Sequence, residues 1–292
     1  MTAPAQFGAP VRLFLLTALT MCAFAANSVL NRLAIAEGRI GPFDFAALRL
    51  VSGALALWLL ACLRGRKIDW SARRRLAGGG ALLVYMLGFS WAYLDLAAGT
   101  GALLLFGGVQ ITMFAGALAT GDGVPVRRWL GAGLAMAGLV WLLWPQVGAG
   151  AGVWPALSMG LAAVGWGVYS LIGRREGDPL AATAANFIVA SPVALVVAVL
   201  MDGPVPGAGL TAGGAGLAVL SGVVTSGMGY ALWYRILPAL GATRAAVAQL
   251  TVPVLAAAGG MALLGERPDL TFALATALVL GGVAIAALPR RG

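Results

Sequence analysis

The chain has no histidine, two cysteines, and only 10% charged residues among its 292. Each shortage excludes a class of function. Without histidine, no Ser-His-Asp triad, Cys-His pair or histidine metal site can be assembled. Cys22 and Cys62 both lie in apolar stretches, which excludes a disulfide framework and leaves no cysteine metal site to expect. Soluble domains carry about 25% charged residues. A chain that is 61% hydrophobic has too little polar surface to cover such domains. The glycine-rich stretch GTGALLLFG (99–107) sits in an apolar run with no strand before it, so it is not a nucleotide loop, and GAGAG (148–152) reads as a short turn. These absences point away from an enzyme and leave no cofactor or metal to expect.

What is present is apolar sequence in lengths suited to a bilayer, which a helix of about 20 residues can cross. Ten such stretches are separated by charged or Gly/Pro-rich breaks: 11–35, 44–63, 76–94, 99–119, 127–145, 153–173, 180–201, 213–236, 242–264 and 269–288. The fold class expected is therefore all-α integral membrane. Arg12, the run LFLLTALTMCAFA and the A-x-A at 23–25 resemble a secretory signal with its cleavage site. Because further spans follow and the segment recurs later, it reads as the first permanent span. The 43 glycines fit transmembrane helices that approach closely.

The formal charge of +9 invites a nucleic-acid reading, but its distribution sets orientation instead. With the N-terminus in the cytoplasm, fifteen Lys and Arg fall on the cytoplasmic side, among them Arg64, Arg66, Lys67 and Arg73 to Arg75. Only Arg39 and Arg267 fall outside. Cationic loops stay inside, so both termini are expected in the cytoplasm of a cell with the chain in its inner membrane.

The sequence also repeats. GLAMAGLVWLLWP (133–145) matches ALVLGGVAIAALP (277–289) at offset 144, and FAANSVLNR (24–32) matches WGVYSLIGR (166–174) at offset 142. The turn LAAGTGA (96–102) corresponds to ALGATRA (239–245). Residues 1–150 and 151–292 thus form two halves of five spans. Five is odd, so the second half enters the membrane from the opposite side. Inverted repeats mark many alternating-access transporters, with the substrate near the midplane between halves. One chain holds both halves, so a monomer suffices, and the partners expected are the bilayer and a small-molecule substrate.

LGATRAAVAQLTVPVLAAAGGMALLGERPDLTFALATALVLGGVAIAAL (240–288) resembles the second EamA-type repeat of the drug/metabolite transporter superfamily. NSVLNRLAIAEGRIGPFDFAALRL (27–50) and LGER (264–267) are similar to that family as well, and the likeness runs from about 11 to 289. It implies ten helices in a basket around a central cavity lined by spans one, three, four, six, eight and nine. Within the superfamily the amino-acid exporters, including the aromatic ones, are nearest by length and aromatic content. Phe24 stands where the family's first span often has Trp, Val252 where a Glu often precedes the ninth-span proline, and Gln110 where Pro253 lies in the second half.

In AFAANSVLNRLA (23–34), Phe24, Asn27 and Asn31 share one helical face. Amides are expensive against lipid, so that face either lines the cavity or bonds a neighbouring helix. The repeat places Trp166 and Tyr169 at the first two positions in span six, with Gly173 at the third. On the other spans that the resemblance puts around the cavity, the candidates are Tyr85, Phe89, Gln110, Ser226, Tyr230, Trp233 and Gln249. Pro253 deprives the Gln249 carbonyl of its partner and kinks span nine. Trp70, Trp141, Trp144 and Trp154 read as interfacial belt. Arg32 and Arg49, level with Glu37, Asp44 and Asp95, read either as an outer ion-pair gate or as a clamp for a substrate carboxylate; Arg174 is the inverted counterpart of Arg32.

All ten acidic residues lie at or near span ends, whereas proton-driven carriers usually hold a titratable group at mid-membrane. A facilitator is therefore expected, exporting amino acids or similar metabolites by alternating access. A core without a basic cluster disfavours phosphorylated substrates. A multidrug exporter of amphipathic compounds and a non-transporting membrane scaffold are the alternatives.

Overall fold

The computed structural model describes residues 9–119, 126–148, 153–173, 176–202 and 210–287. Among them every regular element is helical: α1 (Ala9–Ile35), α2 (Pro42–Leu63), α3 (Ala72–Ala92), α4 (Ala98–Ala119), α5 (Val126–Gly148), α6 (Val153–Gly173), α7 (Pro179–Met201), α8 (Ala212–Leu220), a π-helical segment Ser221–Met228, α9 (Gly229–Gln249), α10 (Thr251–Leu264) and α11 (Leu270–Ala287). Among the described residues, five helical stretches are long and apolar enough to cross a membrane: Pro10–Ile35, Pro42–Leu63, Val153–Gly173, Pro179–Met201 and Ala212–Leu240. Shorter apolar helices cover Ala98–Met113, Trp129–Leu142, Thr251–Leu264 and Leu270–Ile285. Helix α3 opens on Arg73, Arg74 and Arg75, so its apolar stretch is correspondingly shorter.

One boundary departs from expectation. The turn foreseen at 239–245 is helical, because α9 continues through Pro238 to Gln249. The interruption comes at Leu250. Pro253 carries no N–H for the Gln249 carbonyl, and its ring clashes with a continued α-helix there. The kink assigned to Pro253 is thus a break three residues before it, with the proline in the first turn of α10, where a missing donor costs little.

Helix α2 packs on α7, and α5 on α11. Helix α3 packs on α6 and α7, α4 on α6 and α10, and α1 on α9, α10 and the π-helical segment. Lipid gives no hydrophobic drive to helix pairing, so close backbone approach has to supply it. A Cβ on Gly165 of α6 would lie 2.7 Å from the Ala81 carbonyl oxygen and from the Tyr85 nitrogen of α3. In the π-helical segment, a Cβ on Gly222 would come within 2.3 Å of the Arg49 carbonyl oxygen in α2. Gly138 and Gly282, at the repeat offset of 144, both face the α5–α11 contact.

Direction along the bundle follows from two arginines. Arg32, in the last turn of α1, reaches the carbonyls just past the end of α3. The two helices therefore run parallel. Arg75, in the first turn of α3, lies at the other end, roughly 30 Å away at 1.5 Å per residue.

Adjacent glycines in α11 test the packing argument. A Cβ on Gly282 would sit 2.5 Å from the Gly131 oxygen and 2.6 Å from the Ala135 nitrogen, whereas one on Gly281 meets nothing within 4 Å. Gly282→Ala is expected to destabilise by about 1–3 kcal/mol, and Gly281→Ala to be neutral or mildly stabilising. Thermal unfolding in detergent reads both; equal midpoints for the two variants would refute the close-approach account.

Candidate functional site

The centre of the bundle is built around Arg49. Its position two turns into α2 carries the side chain inward, and the residue is fully buried. Nε donates to Ser226 Oγ at 2.6 Å. One terminal nitrogen, Nη2, donates to Tyr230 Oη at 2.6 Å and to Tyr85 Oη at 3.2 Å. The two phenols are themselves 2.9 Å apart. The guanidinium also lies 5.1 Å from the Phe89 ring centre and 5.6 Å from that of Tyr85, within cation–π range. Nη1 has no hydrogen-bond partner. Among the described residues no carboxylate lies within ion-pairing distance of Arg49. The ion pairs of an outer gate, one of the two readings of Arg49, are not seen here: its neighbours at this depth are phenols and a serine, not acids.

The cluster extends through Ser226 to Asn27. The Asn27 oxygen accepts from Ser221 at 2.8 Å, from Ser226 at 3.2 Å and from Thr225, while its amide nitrogen donates to the Thr225 carbonyl at 3.2 Å. The wider winding of the π-helical segment presents all three hydroxyls to one side chain. Such segments are rare and occur often at functional sites. Asn31 donates to the Asn27 carbonyl at 2.9 Å and accepts from Ser90 at 2.9 Å. Both amides are thus satisfied by protein in this conformation.

Phe24, on the same face, meets Trp166, Tyr230 and Trp233 edge-on with ring centres 5.5–5.7 Å apart. Trp166 lies 4.6 Å from Tyr230 and 5.0 Å from Tyr85, and stacks on Tyr169 at 5.5 Å. The indole nitrogens of Trp166 and Trp233 are buried without partners. Tyr169 stacks in turn on Tyr234, whose hydroxyl donates to the Tyr169 carbonyl at 2.9 Å. Gly173 leaves that ring its space, since a Cβ there would lie 2.0 Å from it. Gln110 is half-buried on α4 and Gln249 is buried at the end of α9; neither joins the Arg49 network. Trp70, Trp141 and Trp154 are more than half exposed, where belt residues belong, and the Trp144 side chain lies outside the described residues.

Toward each end of the helices that hold this cluster lies a charged contact. At one end, Arg32 donates to the Tyr93 and Leu94 carbonyls at 3.0 and 2.7 Å and pairs with Glu266 at 3.4 Å. Gly265 takes the left-handed conformation at φ 65° that ends α10. That turn aims Glu266 at the N-terminus of α4, where both carboxylate oxygens accept from the Ala98 N–H. The acids foreseen for Arg32 go elsewhere: Glu37 pairs with Arg39, and Asp44 donates its backbone N–H to Asp202 at 2.7 Å. Burial raises the Asp202 carboxyl above the usual aspartate range, against the lowering effect of the Asp44 and Phe43 N–H groups.

At the other end, sequence reasoning treated Arg75 as an orientation charge. Its side chain is buried and pairs with Glu176 at 2.8 Å, also buried, and it reaches Asn186 at 3.3 Å. The signal was present in the run of arginines, but nothing local marked which one turns inward. Arg174 lies outside the described residues. Breaking one partner of a buried ion pair costs about 3–5 kcal/mol, and replacing both with apolar residues costs far less. Glu176→Ala should therefore lower the unfolding midpoint more than the double replacement Arg75→Met with Glu176→Leu. A double variant at least as damaged as the single one would refute that electrostatic account.

Comparison with known proteins fits these features. Residues 152–288 match the model described as the EamA-like transporter family. An uncharacterized protein of Pseudomonas aeruginosa, PA1977, is 46% identical over 286 residues, which cover 96% of each chain. A solved structure titled only as the crystal structure of a protein shares the fold, with a TM-score of 0.65 at 23% identity over 93% of this chain and 98% of its own. A relative matched over nearly its whole length, and a second half that fits the family's model, place the chain in the EamA-like transporter family of the drug/metabolite transporter superfamily.

Proposed function

We propose that the chain is an inner-membrane transporter of amino acids or similar small metabolites, exporting them by alternating access and without proton coupling. The observation that carries this reading is the central polar and aromatic cluster around Arg49, closed at one end by Arg32–Glu266 and at the other by Arg75–Glu176. Two charged closures on either side of one buried site are what alternating access requires. When one pair parts the other holds, and the substrate meets one side at a time.

The pattern of helix contacts supports an inverted repeat of five-helix halves. Exchanging the halves maps α2 on α7 and α5 on α11 onto themselves, and it maps α3 on α6 onto α9 on α1. Rocking of the halves would then open either end by equivalent motions. The excess of Lys and Arg on one side supports cytoplasmic termini. The cluster holds no acid, which supports facilitated movement down a gradient and disfavours hydrophobic cations.

Counterflow into proteoliposomes with a labelled amino-acid panel, with and without a pH gradient, tests the reading. Equilibration of several members regardless of the gradient is expected. Asn27→Ala and Trp166→Ala should each cut the rate about tenfold or more, on the scale of a lost buried interaction of 1.4 kcal/mol, while exposed Trp154→Ala should leave it unchanged. Accumulation that follows the pH gradient, or flux of lipophilic cations alone, would overturn the proposal.

A further inference from the structure

We infer that Arg49 recognises a carboxylate, and that the ligand class is monocarboxylates with an aromatic or branched apolar tail, whose ammonium group, where present, is not required. This rests on the transport reading and narrows its substrate.

An arginine buried without a counter-ion is a costly arrangement, because desolvation of the cation goes unrepaid. Arg32, Arg39, Arg66, Arg74 and Arg75 each have a carboxylate within 4 Å. Arg49 has only neutral hydroxyls on Nε and Nη2, and nothing on Nη1. Around Phe24 the indole N–H groups of Trp166 and Trp233 are also unpartnered, as are the hydroxyls of Ser28 and of Tyr169, which stacks on Trp166. Guanidinium and indole nitrogens donate and never accept. Whatever completes the guanidinium and the two indoles must therefore be an acceptor, and a single cation calls for a single negative charge. A carboxylate matches the planar guanidinium fork and offers about four acceptor positions. A dianionic phosphate would leave one charge uncompensated.

The same inventory shows what the site does not read. An ammonium needs acceptors, and the amide oxygens nearby already accept from hydroxyls. Asn27 accepts from three hydroxyls, and Asn31 from Ser90. With no carboxylate in the cluster, a substrate amine finds no counter-charge, while a purely cationic ligand meets the field of Arg49. The rings of Phe24, Phe89, Trp166 and Tyr230 supply an apolar wall for a tail.

Four probes that differ in one group each decide the matter: L-phenylalanine, 3-phenylpropanoate without the amine, L-phenylalaninamide without the carboxylate charge, and 2-phenylethylamine without a carboxyl group. The full chain is assayed by ligand-induced thermal shift in detergent and by counterflow in proteoliposomes. Both carboxylates are expected to raise the midpoint with apparent affinities within a few-fold of each other, and the amide and amine to bind at least tenfold more weakly. Arg49→Lys, which keeps the charge, should weaken the carboxylates about tenfold; the wild-type series stands by itself if that variant does not fold. Amide or amine binding as tight as the carboxylates, silence from all four probes, or indifference of a folded Arg49→Lys protein would overturn the inference. Flux of carboxylate-free compounds alone would sink the inference and leave transport standing. Carboxylate-dependent stabilisation without any flux would do the reverse.

Discussion

The structure depends on keeping one uncompensated positive charge in a medium that disfavours it. Arg49 is tolerated because three hydroxyls and two ring faces share the work of solvation. Those groups come from α3, α9 and the π-helical segment, so the charge on α2 ties together elements from both halves. The Ser226 hydroxyl is the hinge of that arrangement. It accepts from Arg49 and donates to Asn27, which brings α1 into the same network.

Glycine makes the network possible. The three hydroxyls of the π-helical segment reach Asn27, and Arg49 reaches Ser226, because Gly222 lets that segment lie against the α2 backbone. Gly165 does the same between α6 and α3, bringing Trp166 beside Tyr85. In a bilayer such approaches stand in for the hydrophobic drive that soluble proteins use. The charged contacts then sit where helices begin and end, as with Glu266, whose carboxylate joins the N-terminus of α4 to Arg32. A negative group is favoured at a helix N-terminus, so one side chain both caps a helix and pairs with Arg32.

The helical class, the membrane and the inward face of α1 were legible because they follow from local periodicity and composition. Phe24, Asn27 and Asn31 were placed on one face by the helical repeat alone. Their partners were not. A π-helical segment has no reliable sequence signal, and the serines and threonine that satisfy Asn27 lie 194 to 199 positions away. Arg49 could be read as an outer gate or as a carboxylate clamp because its distance from the span end could be counted, but the facing side chains could not. Glu266 was noticed only as part of LGER, although its carboxylate meets Ala98 at a separation of 168 residues.

By itself, then, the sequence determined that this chain lives in a membrane as a run of apolar helices with a charge bias between its ends, because hydropathy, helix period and loop charge act over a few residues. Only the tertiary structure decided which buried arginine is left without an acid, which arginines are paired with one, and which rings and hydroxyls surround the first. The contacts of that first arginine join positions from 36 to 181 residues apart, and a charge in a low-dielectric interior is governed by its neighbours in space.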